Sequence, residues 1–367
     1  MRYAMVMAGG SGTRLWPMSR AEQPKQLIPF VRTEPDAPAQ SLLQISAGRL
    51  EGVVPRERRY ICTGERFRDQ ILGGLPGFKD ENLLGEPAPR DTLNAVGFAA
   101  AVFEAIDKDA VFAVLTADHM IEPQATFAKA MDAGFSLVEQ DPTRLVSFGI
   151  KPTHPATGFG YIENASPIPD SDDLGFTIAR FVEKPPLDKA REYLASGNFF
   201  WNAGMFVFHA ATFMKLLERH APENAAGLRE IQAAWGTPAQ TETLERVYPT
   251  LPKTSVDYGV MEPASNDDAV TLCGVKMDLD WLDVGSWPSY GETLPADEQG
   301  NRRSGGNLAT HDSTNCLAVS SDDDHTIALV GCEDLIVVRT DRATLVMPKD
   351  RAQDLKALHA TLQDDLK

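Results

Sequence analysis

The chain has 367 residues, 43% of them hydrophobic, and a formal net charge of −17 at pH 7. This is enough apolar material for one large α/β domain plus a smaller one, and the acidic field repels nucleic acid and anionic membranes, so an anionic substrate must be held by local positive residues. Cys62, Cys273, Cys316 and Cys332 show no CxxC spacing and no accompanying histidine pattern, which argues against a zinc site or a disulfide frame. The opening apolar run is too short for a signal h-region and no stretch reaches the length of a membrane span, so a cytoplasmic location is expected.

In chain order, a strand over Ala4–Met7 runs into Ala8-Gly9-Gly10-Ser11-Gly12-Thr13-Arg14. Strands at Arg59–Cys62, Asn82–Leu84, Val111–Leu115 and Leu145–Gly149 then alternate with helices at Asp91–Asp107 and Thr126–Glu139, the pattern of strand-helix units around a mostly parallel sheet. From Gly158 to about Val284 the pattern changes to strands at Tyr161–Glu163, Thr177–Val182, Gly204–Phe208 and Val270–Met277. Helices near Leu187–Ser196, Phe213–His220 and Glu242–Val247 interrupt them, and the stretch reads as an insertion supplying the second half of a cleft. After a linker at Ala296–Arg303 come strands at Leu335–Val338 and Thr344–Met347 and a closing helix from Ala352 to about Leu362. The expected organisation is a catalytic domain over 1–295 and a small β-rich domain, of sheet or β-helix type, over 296–367.

The glycine loop reads as a phosphate cradle, because Gly9, Gly10 and Gly12 permit backbone conformations that turn bare N–H groups toward an anion. It lacks the endings of a P-loop or a dinucleotide fingerprint, so on its own it is equally an ordinary strand-helix turn. Arg14 and Lys25 would add the positive charge a triphosphate needs. Asp118 follows a strand end, where open α/β sheets bind ligands, and suits a divalent metal, although a lone aspartate there is more commonly a helix cap or turn residue. Asp283 is a second isolated acid, and two carboxylates converging from distant segments are a normal way to hold magnesium against phosphates. His119 carries no assigned role. In Glu183-Lys184 the carboxylate suits sugar hydroxyls and the ammonium a phosphate, and strand alternation would point the two side chains to opposite faces. Asn202, between a tryptophan and small residues, offers an amide to a sugar or simply to the core.

Seven motifs in order, GGSGTRLWPMSR with PKQ, TADH, TGFGYIE, FVEKP, WNAGMF, SVDYGVME and WLDVGSW, closely resemble the sugar-1-phosphate nucleotidyltransferases, and within them the mannose-1-phosphate guanylyltransferase (GDP-mannose pyrophosphorylase) family. The resemblance implies a Rossmann-like fold with a mixed, mostly parallel sheet, a β-helix-like C-terminal domain, and transfer of a guanylyl group from GTP to α-D-mannose 1-phosphate with release of pyrophosphate. It further implies that the loop matching Ala8–Thr13, with Arg14 and Lys25, wraps the triphosphate, and that Asp118 and Asp283 hold Mg²⁺. Glu183, Lys184, Asn202 and Gly158 would hold the sugar phosphate, and Arg90, Asp91 and Thr92 lie near the base pocket. There the relatives' Arg-Asn-Thr-Ala-Pro-Ala is here Arg90-Asp91-Thr92-Leu93-Asn94-Ala95, which bears on the base preference. The alternatives are the same chemistry on another sugar 1-phosphate or base, glucose or heptose type, or a catalytically silent regulatory subunit of the same fold. Family analogy suggests a homodimer. No histidine-rich metal pattern follows Asn301, so isomerase activity is not expected.

Overall fold

The apolar runs of the first two thirds of the chain pair into one nine-stranded sheet in the computed structural model, which describes residues 1–10, 12–31, 38–169 and 171–367. Contacts divide these into two compact units, one of Met1–Gly9, Ser46–Thr116 and Ile121–Trp281, the other of Gly10–Ile45, Ala117–Met120 and Leu282–Lys367.

The first unit carries nine strands: β1 (Arg2–Met7), β2 (Arg59–Gly64), β3 (Leu83–Glu86), β4 (Val111–Thr116), β5 (Arg144–Ile150), β6 (Tyr161–Pro167), β7 (Gly175–Val182), β8 (Phe199–His209) and β9 (Thr271–Met277). Their order is β3-β2-β1-β4-β8-β5-β9-β7-β6, with β7 and β8 running against the rest. The sheet is therefore mixed and mostly parallel, as the alternation of the first half anticipates. The stretch from Gly158 onward is not a separate insertion. Its strands complete the same sheet, and β8 lies between β4 and β5, which places the Asn202 segment in the middle rather than at an edge.

Helix α1 (Asp91–Ile106) is buried at every position from Leu93 to Phe103, and a helix without a polar face has to be covered on all sides. The cover comes from α2 (Ala210–His220) and α3 (Pro222–Ala234), the latter not apparent in the apolar spacing of the sequence. Phe103 is at the centre of this core, with ring centroids 5.0 Å from Tyr3, 4.9 Å from Tyr60 and 5.5 Å from Phe112.

In the second unit, strands Arg302–Ser304, Leu317–Ser320 and Leu335–Arg339 stack in parallel register, as do Asn307–His311 and Thr326–Val330, so the chain coils as a short β-helix. Alternation then buries both faces of the first stack. Ala318 and Val337 face inward with Ile327 and Leu329, whereas Leu317, Val319, Ile336 and Val338 face outward onto Leu15, Trp16, Val31 and Leu42. The antiparallel strand Thr344–Pro348 extends that outer layer, and the closing helix spans Leu355–Thr361 after a 3-10 segment at Lys349–Asp354. No helix among the described residues is long and apolar enough to cross a membrane.

Replacing Phe103 by Ala should destabilise the fold by about 3–5 kcal/mol, the usual cost of deleting a fully buried ring and leaving its cavity. Urea unfolding of wild type and F103A measures this, and a loss well under 1 kcal/mol would show that the α1 core is not the structural centre described above.

Candidate functional site

In the second unit the glycine loop ends in a tight turn. Gly12 has φ 61°, in the left-handed region, and a Cβ there would strike Ser19 Oγ and lie 3.1 Å from Lys25 Cβ, so both conformation and space call for glycine. The turn leads to the 3-10 segment Thr13–Leu15, which leaves Arg14 exposed with no salt bridge or hydrogen bond among the described residues. Trp16, by contrast, is buried. Its indole Nε1–H donates to the Leu366 carbonyl at 2.8 Å, while its own carbonyl accepts from Trp287 Nε1–H at 2.9 Å. Gly10 and Thr13 flank the turn, Ala8 and Gly9 belong to the first unit, and Ser11 lies outside the described residues.

Lys25 is buried, and its Nζ meets Asp118 Oδ2 at 2.7 Å and the Val284 carbonyl at 3.5 Å. Val284 N–H donates to the Asp118 carbonyl at 2.9 Å, which draws Asp283 alongside Asp118 from a distant part of the chain. Ligand atoms of Asp118, His119 and Asp283 all lie within 4.8 Å of one another. Asp283 Oδ1 is buried and has no hydrogen-bond partner among the described residues. Burial pushes the Asp118 carboxyl up, but the Lys25 and His119 charges and the Lys25 hydrogen bond outweigh it and hold the group at about 2. Asp283 moves the other way, raised by burial and by the Asp118 charge. Two carboxylates, one with an orphaned oxygen, are the donor set a hard divalent cation takes, so these residues fit a metal. His119, with Nε2 3.7 Å from Asp118 Oδ1, borders the group.

In the first unit, β7 ends at Val182 and Glu183 and Lys184 lie beyond it, with Lys184 at φ 46°. The expectation that strand alternation separates the two side chains is wrong for that reason. The left-handed turn brings Lys184 Nζ back to Glu183 Oε1 at 2.5 Å. Glu183 is recessed and Lys184 about half exposed, with side-chain exposures of 7% and 55%. Asn202 sits at a bulge in β8, where Asn202 pairs with Gly149 but Phe206 already pairs with Ser147, and Gly204 supplies the left-handed φ of 66°. Its Oδ1 accepts from Ser147 Oγ–H and Gly204 N–H, each at 3.0 Å, and its Nδ2 donates to Asp257 Oδ1 at 3.0 Å. Asn202 N–H donates to the Gly160 carbonyl at 2.8 Å. A Cβ on Gly160 would lie 2.6 Å from Glu183 Oε2 and 3.2 Å from Asn202 Cβ, whereas Gly158 is exposed with nothing within 4 Å of such an atom. Gly160 is therefore the glycine that lets Glu183 and Asn202 come together. Burial, then the neighbouring Glu183 charge, raises the Asp257 carboxyl to about 7.

Arg90, Asp91 and Thr92 lie at the start of α1. Asp91 has φ 66° and its Oδ1 accepts from Thr92 N–H at 2.8 Å, while Arg90 Nε is buried with no partner among the described residues. Thr92 Oγ1 accepts from Val256 N–H at 2.9 Å, and Asn94 Nδ2 donates to the carbonyls of Arg90 at 2.7 Å and Pro252 at 2.8 Å. The departure at Asn94 thus has a structural function: its amide ties the helix start to the Pro252–Asp257 segment. Beneath Gly9, at the end of β3, Glu86 is buried with Oε1 accepting from Tyr248 O–H at 2.7 Å. Its Oε2 lies 3.9 Å from where a Gly9 Cβ would be.

Glu86, Gly160 and Asp257 are not among the residues selected from sequence. Each carries a weak signal, Glu86 as an acid ending an apolar strand and the other two as members of the TGFGYIE and SVDYGVME motifs, but only the fold puts them beside the selected residues.

Comparison with known proteins gives a consistent result. The nucleotidyl transferase family matches residues 3–300 and the MannoseP isomerase/GMP-like beta-helix domain matches residues 306–362. A mannose-1-phosphate guanylyltransferase of Klebsiella pneumoniae is 38% identical, over 97% of this chain and 73% of its own length. One from Escherichia coli is 37% identical over the same shares. A solved structure from Thermus thermophilus, described as a mannose-1-phosphate geranyltransferase, superposes with a TM-score of 0.83 at 32% identity and covers 98% of each chain.

The Asp257 carboxyl should make stability depend on pH. Between the ordinary aspartate range and about 7, folded Asp257 keeps a proton that the unfolded chain has lost, so stability falls as pH rises through that window. Asp257→Asn removes the effect. The urea midpoint of D257N should gain on that of wild type steadily as pH rises from 4 to 8, and a gap independent of pH would contradict the shift.

Proposed function

This chain belongs to the nucleotidyl transferase family, among the mannose-1-phosphate guanylyltransferases, and from that membership we propose how its residues carry the transfer of a guanylyl group from GTP to α-D-mannose 1-phosphate, forming GDP-mannose and pyrophosphate. The observation that carries the site reading is the convergence of Asp118 and Asp283 beside Lys25. Asp118 and Asp283 would hold Mg²⁺, which when bound neutralises them and draws negative charge from phosphate oxygens.

In the loop Ala8–Thr13 the Ala8 N–H is already donated to the Cys62 carbonyl at 2.8 Å, and the N–H groups that follow it would face the triphosphate, with Arg14 and Lys25 supplying positive charge from an exposed and a buried position. Arg90, Asp91 and Thr92 lie by the base, and Glu86 Oε2 supplies an acceptor suited to the N–H donors of guanine. Lys184 takes the phosphate of the sugar phosphate, Glu183 and the second Nδ2 hydrogen of Asn202 take its hydroxyls, and Gly158 and Gly160 leave backbone room. The attacking phosphate oxygen is already anionic near neutral pH, so the chain need not provide a general base. Its residues act by holding the two substrates and by meeting charge that builds on the α-phosphate and the departing pyrophosphate. We further propose a catalytic domain over 1–295, a C-terminal domain over 296–367, a cytoplasmic location and a homodimer, the first two supported by the family matches at 3–300 and 306–362.

Purified protein with GTP, Mg²⁺ and mannose 1-phosphate should release pyrophosphate, with GTP preferred among the four nucleoside triphosphates and mannose 1-phosphate among hexose 1-phosphates. Asp283→Asn should lower turnover by about 10²–10³-fold, the scale set by losing one charge-stabilising group. No release with any pair would refute the reading, and full activity in D283N would remove that residue from the metal site.

A further inference from the structure

The Asn202 amide is fixed on three sides: Ser147 Oγ–H and Gly204 N–H hold its oxygen, and Asp257 Oδ1 takes one of its two Nδ2 hydrogens. Ser147 and Gly204 alone settle which end of the amide is oxygen. Only Asp257 draws the nitrogen end to one side and leaves a single, directed N–H uncommitted.

Asp257 opens a π-helical turn, Asp257–Met261, a rare geometry that is frequent at functional sites. The turn is held in place from behind, since Val256 N–H donates to Thr92 Oγ1 at 2.9 Å and Leu93 N–H to the Thr254 carbonyl at 3.2 Å. Asp257 is therefore not on a loose loop. It is set between Asn202, the Glu183–Lys184 ion pair and the start of α1, and the charges that act on it are those of Glu183 and Lys184.

We infer that Asp257 is a positioning residue of the sugar-phosphate subsite, acting through the Asn202 amide. What the subsite takes from it is an acceptor oxygen, which the neutral and ionised carboxyl both provide. The inference rests on the reading of Glu183, Lys184 and Asn202 as that subsite. A sugar hydroxyl accepting the remaining Asn202 N–H then finds it pre-aimed, so the loss of Asp257 is felt in sugar-phosphate binding and not in nucleotide binding.

The test is steady-state kinetics of Asp257→Ala and Asp257→Asn with GTP and mannose 1-phosphate varied separately, alongside Asn202→Ala and Lys184→Ala. D257A should raise KM for the sugar phosphate about tenfold with KM for GTP unchanged. D257N, which keeps an acceptor oxygen in the same place, should recover at least half of that loss on a logarithmic scale. A normal KM for the sugar phosphate in D257A, an equal rise for both substrates, or an equal loss in D257A and D257N would each overturn the inference. If N202A and K184A also leave the sugar-phosphate KM untouched, the subsite reading fails with it. If those two raise it and D257A does not, only the role of Asp257 falls.

Discussion

Much of the second unit is arranged to keep two carboxylates, Asp118 and Asp283, side by side in a partly buried recess, with one oxygen of each within 4.8 Å of the other. Like charges at that spacing repel, and burial adds the cost of desolvation. Lys25 offsets part of both with a 2.7 Å contact to Asp118, but leaves Asp283 Oδ1 with no hydrogen-bond partner among the described residues. The recess thus has a half-neutralised pair of acids, with the ionised character concentrated on Asp118 and the Asp283 carboxyl pushed toward its neutral form. A divalent cation would complete the neutralisation, which is why the fit to a metal follows from the electrostatics of the chain itself.

Holding that recess in shape falls to residues with no chemistry of their own. A loop rich in glycine loses more conformational freedom on ordering than any other, so it needs anchors. Trp16 provides them. Its ring enters the apolar layer formed by Leu317, Val319, Ile336 and Val338, and its indole N–H and carbonyl are tied to Leu366 and Trp287. Arg20 adds a contact from its guanidinium to Thr340 Oγ1 at 3.0 Å. The β-helix strands are in this sense the support of the segment that follows the glycine loop.

How far the sequence is legible follows the range of the interaction. Strands β1 to β5 and helix Asp91–Ile106 announce themselves by apolar runs because they are buried in bulk. Local chemistry marks Arg14, Asp118 and Asp283 as candidates, but the convergence of the two aspartates depends on the Val284 to Asp118 backbone bond, which no spacing encodes. Strand periodicity misplaces Glu183 relative to Lys184 because the turn at φ 46° is a property of a non-glycine residue forced into the left-handed region, which periodicity does not register. Helix α3 is hidden for a related reason, since its buried residues Asn224, Ala225, Leu228 and Ile231 include a polar amide and a small side chain. Asn224 earns its burial by donating to Asn94 Oδ1 at 2.8 Å and the Pro252 carbonyl at 2.9 Å.

The cluster around Asn202 in the first unit repeats the charge balance of the recess in the second. Glu183 and Asp257 set two carboxyls against the single ammonium of Lys184, an odd environment for a phosphate dianion. Its sense lies in selectivity. A ligand that brought only phosphate would be repelled by the acids, and one that brought only hydroxyls would leave Lys184 committed to Glu183. On the reading proposed above, a sugar phosphate would satisfy both, its hydroxyls donating to Glu183 while its phosphate competes for the ammonium. The raised Asp257 carboxyl lowers the repulsion further, because near neutral pH a good fraction of it carries no charge. On that reading, excess acid in this position would act as a filter on what reaches Lys184, and the fixed Asn202 amide would give that filter its direction.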